Sequence, residues 1–232
     1  MLRNLQNDAL VSIRVNQKFA EANNLYQDLE QSSHRGNARK LAGQILMILA
    51  ECVALKNSTY FQYGLKKQLH DLKTFDHIPE HFIETYLQII KTTTADSIKD
   101  LTAQMMITTQ DYYNIENIAR EPSETPLEFV TDFQILADMY AEICSTFNKI
   151  YACEKKNDFF LCFVSSVCLQ HELDSISQMF KIPPYDLLSS FDSSDLRKVS
   201  KQAKKIEEEI IKMVTDSGSH INTFRTMKEF CS

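Results

Sequence analysis

A chain of 232 residues with 4 glycines and 5 prolines has too few turn formers for an all-β fold or a glycine-rich phosphate loop, and reads as all-α. Its 31 acidic and 25 basic residues leave a net charge of −6, which repels a phosphate backbone and suits a cationic partner, so nucleic acid is not an expected ligand. With 44% hydrophobic and 24% charged residues the composition is that of a folded chain with a core.

Leu2 to Gln31 predicts a first long helix with a stripe of Val15, Phe19, Ala22, Tyr26 and Leu29, while Leu2, Leu5 and Ala9 run out of phase with it. His34-Arg35-Gly36 follows, where a glycine can take the backbone angles that let a helix stop and reverse. Asn37 to Lys56 then places Ala38, Leu41, Ala42, Ile45, Leu49, Cys52 and Val53 on one side, widened by Leu46, Ile48 and Leu55. This is a central helix, covered on most sides. After Asn57-Ser58, the segment Tyr60 to Gly64 leads into a short helix with Leu65, Leu69 and Leu72. Asp76-His77-Ile78-Pro79 predicts a helix start with the proline in the first turn, ahead of Phe82, Tyr86, Ile89 and Ile90. Thr93 with Asp96 predicts the cap of a longer helix bearing Ile98, Leu101, Met105, Thr108, Tyr112 and Ile115.

The proline-bearing stretch 121–126 reads as a linker between a first helical group, 1–120, and a second, 127–232, packed on it in a bundle-like arrangement. Thr125, Pro126 and Glu128 spell a helix start, after which Phe129, Phe133, Leu136, Tyr140, Ile143, Phe147 and Ile150 keep a spacing of four and three. Asn157-Asp158 separates this helix from FFLCFVSSVCLQHELDSISQMF, apolar nearly all round as far as Leu169 and stopped by Pro183-Pro184. Asp192-Ser193-Ser194 opens a last long helix with Leu196, Val199, Ala203, Ile206, Ile210 and Met213 on one face, ended by Asp216-Ser217-Gly218. The tail carries Phe224, Met227 and Phe230 at amphipathic spacing.

Six cysteines without a CxxC pair suggest free thiols in a reducing compartment, and no run of eighteen apolar residues suggests a membrane span, so a cytoplasmic protein is expected. His77-Ile78-Pro79-Glu80-His81 has the letters of an inverted zinc motif, but a proline between the histidines argues against one continuous helix, and no metal is assigned. Cys168 lies three residues before His171 in an apolar helix that would raise its pKa, so it is not assigned as a nucleophile. No catalytic residue and no cofactor follow from the motifs. Two polar groups interrupt apolar helices: Gln44 with Glu51 beside Gly43, which leaves room for something to approach, and His171, Glu172 and Asp174. Each group is either an internally satisfied network or the wall of a ligand cavity.

The first half of the chain resembles the C-terminal helical domain of aminoglycoside and lincosamide nucleotidyltransferases. The resemblance rests on His34-Arg35-Gly36-Asn37 running into Ala38 to Lys56, then Lys66 to Leu72 and Ile78 to Met106. It implies a domain that helps bind the acceptor substrate, while an N-terminal α/β domain holds nucleotide and magnesium. The Gly-Ser and paired aspartates that mark that catalytic domain are missing here, so the resemblance implies a non-catalytic half that acts with a catalytic nucleotidyltransferase domain supplied in trans. It carries over no catalytic residue. A cationic small molecule is then the expected ligand; the alternative is a helical interaction module that binds a protein partner or forms a homodimer, without a small-molecule ligand.

Overall fold

The computed structural model describes residues 8–116 and 129–221. Among them the chain is all-α, with eight helices: α1 (Asp8–Gln31), α2 (Arg35–Lys56), α3 (Gln68–Leu72), α4 (Phe82–Lys91), α5 (Ala95–Tyr113), α6 (Phe133–Lys156), α7 (Phe159–Phe180) and α8 (Arg197–Asp216). Short 3-10 turns stand at Gly64–Lys67 and Leu188–Ser190. The predicted linker at 121–126, the start at Thr125-Pro126 and the tail with Phe224, Met227 and Phe230 lie outside the described residues.

The central helix is α2. Leu46, Leu49, Ala50 and Val53 are wholly buried, because α1, α4, α5, α7 and the Leu188–Ser190 turn all pack on it. On the far side of α7 lie α6 and α8, with α6 packing against both. Leu136, Phe147 and Ile150 of α6 meet the same continuous core as Phe163, Val167 and Leu173 of α7. Helix α7 is long and apolar enough to cross a membrane, but 61% of its most apolar window is buried inside the protein, as befits a helix surrounded by others. Between α6 and α8 the Glu207 carboxylate accepts from both Tyr140 Oη (2.9 Å) and Tyr151 Oη (2.6 Å). Burial first, and that carboxylate second, push both phenols up.

Several helix starts differ from the sequence reading. Gly36 is already helical, and its small size answers a close approach: a Cβ there would run into the Asp186 and Ser189 side chains. The reversal is made by residues 32–34, where Ser32 accepts from Asn37 Nδ2 at 3.1 Å. Pro79 lies in a turn before α4, closed by Phe82 N to Pro79 O at 3.2 Å, and not in the first turn of the helix. Thr94, not Thr93, caps α5 and accepts from Ser97 N at 3.3 Å. Helix α6 begins four residues after Phe129, since Asp132 Oδ1 takes the Gln134 N–H at 2.9 Å. The chain before it runs along the end of α7, with Val130 N bonded to Met179 O at 2.9 Å and Lys181 over the exposed Phe129 ring. The last helix opens at Arg197, three residues after the predicted Asp-Ser-Ser, which forms a turn ahead of it.

Arg39 is 2% exposed in the middle of this assembly. Its Nη1 donates to Leu188 O (3.1 Å) and Phe191 O (2.5 Å), its Nη2 donates to Thr92 O (3.1 Å), and its guanidinium sits 5.5 Å from the Phe191 ring centre. No carboxylate pairs with it at ion-pair distance among the described residues, and burial pushes its pKa down to about 10. One buried cation therefore ties α2, the end of α4 and the turn before α8 through their backbone carbonyls.

Replacing Arg39 with Met leaves those carbonyls without a donor and should cost on the order of 3–5 kcal/mol by denaturant titration. Arg39→Lys should recover only part, because an ammonium lacks the fork that reaches both sides. A second expectation concerns Asp192, whose carboxylate accepts from Lys198 Nζ (2.8 Å), Ser194 Oγ (2.6 Å) and Ser194 N (3.0 Å) and is held well below the usual carboxylate range by the Lys198 bond first. A depressed folded pKa gives stability that is present above the unfolded value of about 4 and is lost as pH falls through the folded one. Asp192→Asn should therefore trail the wild type most at neutral pH, with the gap closing below about pH 4; a gap independent of pH would exclude this role.

Candidate functional site

Helix α2 is covered on every side but one. Lys40, Gln44, Met47, Glu51 and Leu55 are half-buried and follow one another at spacings of four and three, which makes them a single seam along the helix. On one flank α1 meets it, with Lys18 paired to Glu51 and the Cys52 thiol reaching Val15 O at 3.9 Å. On the other flank runs α7. Gly43 makes that approach possible, because a Cβ there would overlap the Val167 side chain and meet Phe163 Cε1 at 3.3 Å. The room left by Gly43 is thus filled by α7 itself.

The five polar residues singled out in the sequence fall along this seam or beside it, but they do not form one constellation. Gln44 Nε2 lies 3.4 Å from His171 Nδ1 across the α2/α7 contact. Asp174 is an internally satisfied group: its Oδ2 takes Lys40 Nζ at 2.9 Å and its Oδ1 takes Gln170 Nε2 at 2.8 Å. Gln170 is also committed, donating to Tyr185 O and accepting from Leu187 N, both at 2.8 Å. Glu172 is exposed and forms no ion pair among the described residues. Glu51 stands apart, at the other end of the seam.

Each end of the seam opens into a hollow. The smaller, about 290 Å³, lies at the start of α2 between His34, Lys40, Asp174 and Asp186, whose polar groups already face one another: His34 Nε2 is 3.7 Å from Asp186 Oδ2 and Lys40 Nζ 2.9 Å from Asp174 Oδ2. The larger, about 600 Å³, lies between α1, the end of α2 and the segment 59–68. Arg14, Lys18, Glu21 and Glu51 supply its charges, while Ala54, Leu55, Phe61 and Leu65 supply an apolar lining. Its volume falls within the range of drug-sized sites, and its mix of apolar lining with a few charged groups is their usual chemistry.

The segment 59–68 starts from the end of α2, where Thr59 N donates to Ala54 O at 3.0 Å. Asn57 caps that helix, donates to His77 O at 2.6 Å and accepts from His77 N at 2.9 Å, and Tyr113 Oη donates to the same carbonyl at 2.6 Å. These bonds draw the loop before α4 against α2. Gln68, at the start of α3, lines the cleft and is only 2% exposed. The sequence reading did not mark it, although Leu65, Gln68 and Leu72 share one helical face, and a polar residue in phase with two leucines is the available signal.

His77 and His81 both precede α4, with His81 at a φ of +57°, so they do not share a helix as zinc ligands of that motif would. Among the described residues no three His, Cys, Asp or Glu side chains converge as metal ligands. Cys168 is raised by burial, and no hydrogen bond joins it to His171 among the described residues. No protein-family model, no curated protein and no solved structure matches this chain.

The closeness of α2 and α7 can be measured. Gly43→Ala should destabilise by about 1–3 kcal/mol through overpacking. Adding Val167→Ala should return part of that loss, giving a favourable coupling in a double-mutant cycle. Strictly additive costs would place the strain elsewhere.

Proposed function

We propose that the chain is a non-catalytic, all-helical substrate-recognition domain of nucleotidyltransferase type, which holds a cationic small molecule in the α1/α2 cleft for a catalytic domain outside this sequence. The observation that carries the reading is the cleft itself, about 600 Å³ with an apolar lining and two carboxylates, Glu21 and Glu51, at the end of the central helix. Glu51 is paired with Lys18, but the two side chains are 47% and 35% exposed. Such a pair contributes about 0–1 kcal/mol, so an incoming amine can take the place of Lys18 at little cost. The free thiols Cys52, Cys153 and Cys162, all buried, suit a reducing cytoplasm.

A thermal-shift screen tests this directly, because a ligand that binds only the folded state raises the Tm by mass action. In a panel of aminoglycosides and lincosamides at least one cationic antibiotic should raise it, and nucleotide with magnesium should not. Glu51→Gln should leave the unliganded Tm within about 1–2 °C, since an exposed pair contributes so little, and should reduce the ligand-induced shift. A panel without any shift would remove the reading and leave a protein partner as the object of search.

A further inference from the structure

We propose that the α1/α2 cleft selects a singly charged amine with an apolar body and one acceptor oxygen, and that Gln68 recognises that oxygen. The inference rests on the cationic-ligand reading above and adds the chemistry of the ligand's other end.

Tyr86 is fully buried, and its only hydrogen-bond partner among the described residues is Gln68, at 3.3 Å from Oη to Oε1. A buried phenol keeps its proton, and here burial raises the pKa far above the physiological range. The phenol O–H is therefore a donor, and the Gln68 amide must turn its oxygen toward it. That choice fixes the other end of the amide. Nε2 carries two N–H donors and has no protein partner among the described residues. It is not sealed in the core either: the sealed, unpartnered side-chain atoms are Arg39 Nε and Ser166 Oγ, whereas Gln68 borders the cleft. A 2% exposed glutamine that borders a hollow and keeps its two amide donors unused is a recognition group for an acceptor, since a ligand without one would strand it.

The charges define the rest. Arg14 and Lys18 face Glu21 and Glu51 around the cleft, two of each sign, and among the described residues only Lys18–Glu51 is closed as an ion pair. A single amine finds a carboxylate there, but a polycation brings further charges against Arg14 and Lys18. Leu55, Phe61 and Leu65 ask for an apolar body between the two polar ends.

Two amines of equal length separate these points: N-(4-aminobutyl)benzamide, which carries a carbonyl, and 6-phenylhexylamine, which does not. Calorimetric titration of the wild type should show the benzamide binding about tenfold tighter, the effect of one satisfied donor. The acid 5-benzamidopentanoic acid and the polycation spermidine should bind more weakly than the benzamide. In the double variant Gln68→Leu/Tyr86→Phe, which removes both partners and strands neither, the two amines should become equal. Equal binding of the two amines to the wild type would overturn the role of Gln68 while leaving a cationic ligand in place. Spermidine binding more tightly than the benzamide would overturn the single charge. Failure of both amines to bind, or tighter binding of the acid, would instead defeat the cationic-ligand reading, and because the ligand comparison uses the wild type it does not depend on the variant folding.

Discussion

The interaction on which the arrangement turns is the burial of one guanidinium among carbonyls. Arg39 stands on the central helix in phase with Ala42, Leu46, Leu49 and Val53, all of them buried, so its charge is carried into the core by the same periodicity that carries the leucines. Desolvating a cation there is costly, and no carboxylate among the described residues pairs with it to offset the cost. The compensation comes from backbone oxygens of segments far apart in the chain, residue 92 on one side and residues 188 and 191 on the other. Loop carbonyls at the ends of α4 and of the Leu188–Ser190 turn need donors, and the guanidinium needs acceptors. Each half of the contact is unfavourable without the other, and that mutual need fixes the Leu188–Phe191 turn and the end of α4 on α2 more tightly than apolar contact alone would.

A second constraint is the small residues of α2. Gly43 admits Val167 and Gly36 admits Asp186 and Ser189, so α7 and the turn before α8 come to the same flank of the central helix. With α1 on the other flank, the helix keeps one seam open. The two hollows at its ends then differ in character. Near Gly36 the polar groups answer one another: Lys40 and Asp174 join α2 to α7, and Gln170 and Asp186 hold the loop 185–189. Toward the end of α2 the Arg14 and Glu21 charges enter no ion pair among the described residues, and the Gln68 amide has unused donors. Unspent polar capacity beside apolar surface distinguishes a place for a ligand from a place already satisfied.

The helices were legible because their periodicity is set by burial. The α6 stripe from Leu136 to Ile150 and the α7 run from Phe160 to Leu169 appear in the structure where the spacing put them, since both helices bury one face or all faces. Starts were read less well. Thr93 and Thr94 have equal capping chemistry, and only the backbone angle at the turn selects Thr94. Pro79 was placed in a first turn that the left-handed angle at His81 defers to Phe82. Gly36 and Gly43 were read as freedom and as vacancy, when both are contact points whose partners lie more than a hundred residues away in the chain. No local pattern contains that distance.

The candidate site shows the same division. Glu51 was visible as a carboxylate interrupting an apolar helix, and it lies in the larger cleft. Asp174 was visible on the same grounds, but its carboxylate belongs to Lys40 and Gln170, a fact that depends on how α7 lies against α2. Gln68 was missed because LKKQLHDL looks like a solvated turn of helix with three leucines showing. The rule that would have found it also finds Arg39: a polar side chain in phase with buried apolar neighbours must either tie the fold or face a ligand. Which of the two it does depends on whether its donors are used. Arg39 reaches three carbonyls and ties the fold, whereas Gln68 spends its oxygen on Tyr86 and keeps its amide donors unused at the edge of the cleft.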